Sequence, residues 1–390
     1  MCSKKPHEMK VAILTTDNRE PFKEYTNPVP WFGTAPEALL QGLAQLPHVE
    51  VHVVSCARER MAAPEKLAQN TFFHPLLVPK MGWMRTLYLG CIRVTRRKLK
   101  EIQPDIVHGQ GTELDCGISA VFSGFPNVLT IHGNMRLIAR VNQVKPFSFN
   151  WLAARLEGLT VPLSRGVVCI TRYTQRAVAG SARRTWVVPN AVDASFFEIS
   201  TGPPPGKPPR ILCVGLICHR KNQNSLIRAL DPLAAKQKFE LVFLGKASPG
   251  QPYDDEFLGL VRARPWCVQA GHASREELKD HLRQTSLVVL PSLEDNCPMV
   301  VLEAMAAGVP VVAAEVGGLP DLIAEGKTGF FCNPLDPASM RSAAERALTH
   351  PELAANVAAN ARTSARQRFH PRVVAERHLE IYREIFSQGR

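Results

Sequence analysis

Ten short runs of β-branched and aliphatic residues, separated by helix-length amphipathic stretches, constrain this chain most. They are Val11–Leu14, Val51–Val54, Ile106–His108, Val128–Ile131, Val167–Ile170 and Trp186–Val188, then Ile211–Val214, Leu241–Leu244, Leu287–Leu290 and Val311–Ala313. Strands spaced by helices are the pattern of βαβ units, whose parallel strands need a crossover between them. Between the sixth and seventh runs lies GPPPGKPPR, Gly202–Arg210, whose five prolines and two glycines cannot sustain a helix or a central strand. The pattern predicts an α/β protein of two Rossmann-like domains facing each other across a cleft. The domains span residues 1–201 and 210–371, with a linker at 202–209 and a last helix, about 372–390, packing back on the first. A length of 390 residues suits two such cores better than one.

The longest apolar stretch, Met299–Ala324, is interrupted by Glu303, Pro310 and Glu315, so no transmembrane helix is expected. The opening MCSKKPHEMKVAIL has no apolar region ahead of a cleavage site, so no signal peptide is expected either. The 10 cysteines are dispersed without C-x-x-C pairs or neighbouring histidines. That spacing predicts reduced thiols in a cytoplasmic protein, with neither a disulfide framework nor a zinc site.

Ligands of parallel sheets bind beyond the carboxyl ends of the strands, which directs attention to the loop after Leu287–Leu290. The loop Ser292–Cys297 leads to Pro298, which suits the first position of a helix running to about Ala307, with Gly308 as its cap. The amides around Pro298, Met299, Val300 and Val301 lack intrahelical partners there, and with the helix dipole they form an anion site. Asp295 lies just before the helix and Glu303 within it, roughly 7 Å apart along the axis. Two carboxylates thus bracket a bound diphosphate, one receiving ribose hydroxyls and the other sugar hydroxyls. A second cue is the strand Ile211–Val214 followed by Gly215 and, six residues on, Lys221.

These residues resemble a retaining glycosyltransferase of glycosyltransferase family 4, with the GT-B architecture. The E-x7-E signature of that family is matched by Asp295 and Glu303, with Asp in place of the first Glu. It is followed by Ala304-Met305-Ala306-Ala307-Gly308-Val309-Pro310-Val311-Val312 and by Gly317-Gly318 with Asp321. The resemblance implies a nucleotide-diphosphate sugar donor, a UDP-sugar ahead of a GDP-sugar, a hydroxyl acceptor and front-face transfer with retention. It implies neither a cofactor nor a metal. Donor contacts fall on Gly33, Gly215, Arg220, Lys221, Asp295, Asn296, Cys297, Pro298, Met299, Val300 and Glu303. The family's arginine after the strand glycine is replaced by Leu216, and Arg220 is the candidate substitute. His132, directly after Val128–Ile131, corresponds to the family's histidine that touches the donor sugar, so His132, Asp295 and Lys221 are the catalytic candidates. Gly33, in the loop Trp31–Leu40, corresponds to a position where backbone amides approach the diphosphate. The turn Asn190–Asp193 reads as structural, and His108 as either an acceptor contact or packing. Asp254–Glu256 reads as a solvated helix start, not a metal-binding D-x-D.

Three rivals share the fold. A nicotinamide dehydrogenase lacks support because no G-x-G-x-x-G follows Val11–Leu14 or Ile211–Val214. A nucleotide-sugar epimerase and a non-catalytic carbohydrate-binding protein stay open, the latter because of Leu216 and Asp295.

Charge adds one more expectation. Residues 1–200 hold 24 Lys/Arg against 15 Asp/Glu, and residues 201–390 hold 23 against 20. The surplus points to an anionic partner, though basic residues are not interleaved with aromatics as in a nucleic-acid module. It concentrates in Met81–Ile102, where Arg85, Arg93, Arg96, Arg97, Lys98 and Lys100 accompany an apolar stripe of Met84, Leu87, Tyr88, Cys91, Ile92 and Leu99. That segment reads either as a helix packed on the sheet or as a peripheral contact with an anionic membrane surface.

Overall fold

In the computed structural model, which describes residues 9–141, 144–200 and 207–388, the β-branched runs build two separate sheets. The first contains β1 (Met9–Leu14), β2 (Val49–Ala57), β3 (Lys66–Ala68), β4 (Thr71–Leu77), β5 (Ile106–Gln110), β6 (Asn127–Ile131), β7 (Val167–Cys169) and β8 (Thr185–Val187). Their order is β3-β4-β2-β1-β5-β6-β7-β8, parallel throughout except for β3 against β4. Around it lie α1 (Arg19–Phe22), α2 (Thr34–Ala44), α3 (Leu89–Ile102), α4 (Asp115–Val121), α5 (Met135–Val141), α6 (Phe149–Leu163) and α7 (Arg172–Val178).

The second sheet contains β9 (Arg210–Val214), β10 (Glu240–Leu244), β11 (Cys267–Gly271), β12 (Leu287–Leu290), β13 (Val311–Ala314) and β14 (Phe330–Cys332). The order β11-β10-β9-β12-β13-β14 is the 3-2-1-4-5-6 winding of dinucleotide-binding folds. Its helices are α8 (Gln223–Ala234), α9 (Pro252–Arg262), α10 (Arg275–Arg283), α11 (Met299–Ala307), α12 (Pro337–Thr349) and α13 (Pro351–Arg368). The last helix, α14 (Pro371–Ser387), belongs to the first unit, where Val374, Ala375, Leu379 and Tyr382 join the core of β1, β2 and α2.

β3, β4, β11 and β14 lie at or next to sheet edges and were absent from the strand pattern. An edge strand needs no continuous apolar run, and β11 shows it by alternating buried or half-buried with exposed residues.

The sequence places the domain boundary at the Pro/Gly segment, of which residues 202–206 lie outside the described residues. The structure draws it earlier, between Ala191 and Val192. The Val192 amide donates to the Phe369 carbonyl (2.9 Å), and Arg362 and Arg366 donate to the Phe197 carbonyl, so residues 192–199 belong to the second unit.

The basic segment packs on the first sheet, one of its two readings, but its helix starts later than expected. Two 3₁₀ turns precede α3, Leu87 and Tyr88 are left-handed, and Tyr88, Cys91 and Leu99 are buried in the unit. Of the expected stripe only Leu87 is exposed, together with Met81 and Leu89 outside it. α9 starts over Asp254–Glu256 as expected, but Asp254 is buried, accepting a hydrogen bond from the Ser248 amide. Among the described residues, no helix is long and apolar enough to cross a membrane.

Candidate active site

The strand order of the second unit reverses between β9 and β12, which pair through Ile211–Leu287 and Leu212–Val288. At such a switch point the loops leaving the two strands diverge and open a crevice at their carboxyl ends. Both motif segments leave from there. After β9 comes Gly215, whose φ of 149° suits glycine, followed by a 3₁₀ turn at His219–Lys221. After β12 come Ser292–Cys297 and then α11.

Side chains and backbone latch the two loops together. Lys221 Nζ lies 2.5 Å from Asp295 Oδ2, which also accepts from Ser292 Oγ at 3.1 Å. Arg220 donates to the Glu294 carbonyl at 2.9 Å and stands 3.8 Å from Asp295 Oδ1, while the Leu293 amide donates to the Arg220 carbonyl. Arg220 thus sits beside Asp295 and Lys221, and Leu216 is exposed.

A third loop holds Asp295 from the other side. The Gly318 amide donates to the Asp295 carbonyl at 3.0 Å, and Gly317 is left-handed with φ 57°. A Cβ at Gly317 would stand 1.9 Å from that carbonyl oxygen, so only glycine permits the approach.

α11 starts one residue later than expected, with Pro298 as its N-cap and Gly308 closing it at φ 78°. No side chain caps its N-terminus. The Val301 amide already donates to the Pro298 carbonyl at 3.1 Å, so two of the three expected amides, those of Met299 and Val300, keep no intrahelical acceptor. Asn296 is partly buried and Cys297 buried in the approach to that turn.

Glu303 stands apart from the Asp295–Lys221 pair. It is buried on α11, and its charged neighbours are Arg275, at the start of α10, and Asp193, which themselves pair at 3.2 Å. Burial pushes its carboxyl up to about 7; Arg275 opposes the shift and Asp193 adds to it. Sequence spacing does not connect Arg275 to Glu303, which is 28 residues away. The sequence marks Asp193 as structural, and it caps the 3₁₀ turn Ala194–Glu198.

In the first unit, His132 follows β6, and its Nε2 lies 2.8 Å from Gln110 Oε1 at the end of β5. That contact makes Nε2 the donor, because an amide oxygen only accepts. The Asn190 side chain hydrogen-bonds the same ring. Burial drives its pKa down to about 4 against the opposing Asn190 bond, so the ring is neutral at neutral pH. Gln110 was not anticipated, although parallel pairing of Gln110 with Thr130 puts it beside His132 on the same face. His108 is fully buried, bonded to the Tyr382 hydroxyl and Thr130 Oγ1 at 2.7 Å each, and is therefore core. Gly33 is the N-cap of α2 with φ −64°, and a Cβ there would meet only Pro36 at 3.5 Å. The backbone does not demand glycine at that position.

Residues 34–196 match the family described as Glycosyltransferase Family 4, and residues 197–364 match Glycosyl transferases group 1. Sulfoquinovosyl transferase SQD2 of Arabidopsis thaliana is 27% identical over 264 residues, 61% of this chain and 49% of that protein. The chain therefore spans about half the length of that relative. Glycogen synthase of Mycobacterium tuberculosis is 28% identical over 320 residues, covering 77% and 75% of the two chains. Among solved structures, sucrose-phosphate synthase from Thermosynechococcus elongatus superposes with a TM-score of 0.75 at 18% identity, covering 97% of this chain and all of that one. Anabaena HepE, solved with UDP-glucose, gives 0.67 at 17% identity, covering 96% of this chain and 100% of that one. Two Rossmann-like units and two adjoining family matches make this chain a glycosyltransferase of the GT-B fold, a Family 4 domain followed by a group 1 domain.

Proposed function

We propose that the second unit binds a nucleotide-diphosphate sugar, a UDP-sugar in the first instance, and that the enzyme transfers its hexose to a hydroxyl acceptor with retention of configuration. The observation that carries this reading is the Lys221–Asp295 pair at the β9–β12 switch point, beside the uncapped first turn of α11. Lys221, Arg220 and the Met299 and Val300 amides are placed to stabilise charge growing on a leaving diphosphate. In this reading they, and not a metal ion, carry the positive charge. Asp295 exchanges part of its bond to Lys221 for sugar hydroxyls when the donor enters. Glu303 receives the ribose, with Arg275 holding its position. His132, neutral and fixed by Gln110, is the histidine that meets the donor sugar, a role that rests on the family resemblance. The UDP-glucose complex of HepE supports a uridine donor.

The test is calorimetric titration with UDP, GDP and ADP, followed by assay of transfer from the matching sugar. Tight binding of UDP and a product with the donor's anomeric configuration are expected. Equal indifference to all three nucleotides overturns the reading. A donor at 100 times its dissociation constant should add about 2.7 kcal/mol to stability.

A peripheral contact with anionic membrane is a second reading, favoured by the exposed Met81, Leu87 and Leu89 beside the exposed Arg85, Arg93, Arg96 and Lys100. Apolar side chains next to basic ones suit a headgroup boundary. Lys98 contributes less, because it is paired with Glu101 at 2.5 Å.

A further inference from the structure

Three side chains that glycosyl transfer does not use converge in the first unit. Cys56 is the penultimate residue of β2, Cys91 lies in the first turn of α3, and Asp115 opens α4. They are 35 and 24 residues apart in sequence, which is why spacing alone predicted no such cluster. One ligand atom from each lies within 4.8 Å of the other two, the one group of this kind among the described residues. All three are buried, at 6%, 0% and 8% exposure, against Val78, Tyr88, Ile118 and Leu156.

Packing alone accounts poorly for this composition. Two cysteines in an apolar cluster are ordinary, since a thiol behaves as a small hydrophobe. A carboxylate brought there with them is not: Asp115 is hydrogen-bonded by the Cys56 thiol and by its own backbone amide, but among the described residues no cation forms an ion pair with it. Arg58 acts on Asp115 only at a distance, being ion-paired with Glu20 and placed over the Trp83 ring at 4.1 Å. The spacing also suits a shared ion. Zinc held at ~2.3 Å from sulfur and ~2.0 Å from oxygen sets its tetrahedral donors roughly 3.5–3.8 Å apart, an inward adjustment of at most about 1.3 Å from the 4.8 Å bound. Two sulfurs and one oxygen select a thiophilic ion over calcium or magnesium. Thr95 Oγ1, 3.7 Å from Cys56 Sγ, can donate to that sulfur once it is a thiolate and so orient it toward the ion.

We propose that Cys56, Cys91 and Asp115 bind one thiophilic divalent cation of the zinc class, which ties the starts of α3 and α4 to the end of β2. Binding replaces two S–H bonds by metal–sulfur bonds and releases both protons to solvent. The site is structural and independent of the donor-site reading.

The experiment uses the full chain, purified under reducing conditions and stripped with a chelator. Titration with Co²⁺ should show one equivalent bound, with the thiolate charge-transfer and tetrahedral ligand-field bands of sulfur-ligated cobalt. Zn²⁺ should displace the cobalt and raise Tm. Cys91→Ser and Asp115→Asn should lose stoichiometric uptake, while Cys267→Ser, remote from the cluster, keeps it. Absence of stoichiometric uptake by the wild-type chain overturns the proposal, as does an unchanged cobalt spectrum in a Cys56→Ser/Cys91→Ser double variant. Should the serine variants fail to fold, the wild-type spectrum decides alone. A Cys56–Cys91 disulfide in reduced-purified protein, in place of metal uptake, counts against it.

Discussion

Lys221 Nζ stands 2.5 Å from Asp295 Oδ2, joining the loops that leave β9 and β12 where the strand order reverses. Each side chain is about one-tenth exposed, so the pair is shielded from bulk water yet reachable from the crevice. Lys221→Ala should lower the transfer rate by roughly 10²-fold or more, the scale of losing one preorganised charge-stabilising group. Single-turnover assays at saturating donor measure this. A variant with an unaltered rate removes Lys221 from the chemistry.

Glu303 provides a pH signature. Its folded pKa of about 7 lies above the ordinary 4.5, so the folded state holds a proton that the unfolded chain has lost. The stability this gives is complete below about 4.5 and is lost as pH rises through 7. Glu303→Gln, which has no such charge to bury, should gain Tm relative to wild type at pH 8 and gain little at pH 4. The same variant should bind free nucleotide more weakly at pH 8, where the carboxylate would accept ribose hydroxyls. Parallel thermal melts and calorimetry at the two pH values separate the effects.

Gly317 tests the loop that holds Asp295. Its left-handed φ costs a residue with a side chain roughly 1–2 kcal/mol before any clash. The added Cβ would also meet the Asp295 carbonyl at 1.9 Å. Gly317→Ala should therefore lower Tm and reduce donor turnover together. A Gly317→Ala enzyme with wild-type kinetics contradicts the positioning described for Asp295.

For the membrane reading, the wild-type chain should co-sediment with vesicles containing anionic lipid at low salt and release at high salt. Each basic residue near the surface contributes about 1 kcal/mol, screened over ~8 Å at physiological ionic strength. Arg93, Arg96 and Arg97 changed together to Glu should bind poorly, and Leu89→Ser should weaken binding without altering its salt dependence. Failure of the wild type to sediment at low salt ends this reading.

The α/β class, the two sheets and the position of the motif loops are legible in the order of the amino acids. Local pattern carries those features: β-branched runs such as Leu287–Leu290 for central strands, and Pro298 and Gly308 at the two ends of α11. It also placed Lys221 and Asp295 in the candidate site by their order after two strands. Which side chains meet across the chain follows from the folded arrangement alone. Asp295 is paired with Lys221 although 74 residues separate them, whereas Glu303, eight residues from Asp295, faces Arg275 and Asp193 instead. Gln110 bonds His132, and Cys56, Cys91 and Asp115 gather, because parallel strands and their crossovers bring distant segments side by side. The exposed face of the basic segment was likewise invisible beforehand. Helical spacing puts Leu87 in one stripe with Tyr88, Cys91 and Leu99, but left-handed Leu87 and Tyr88 reset the phase before α3 begins, so Leu87 turns outward while the other three are buried. Periodicity reports local geometry only while the backbone stays regular; contacts made through a sheet depend on topology, which no single segment encodes.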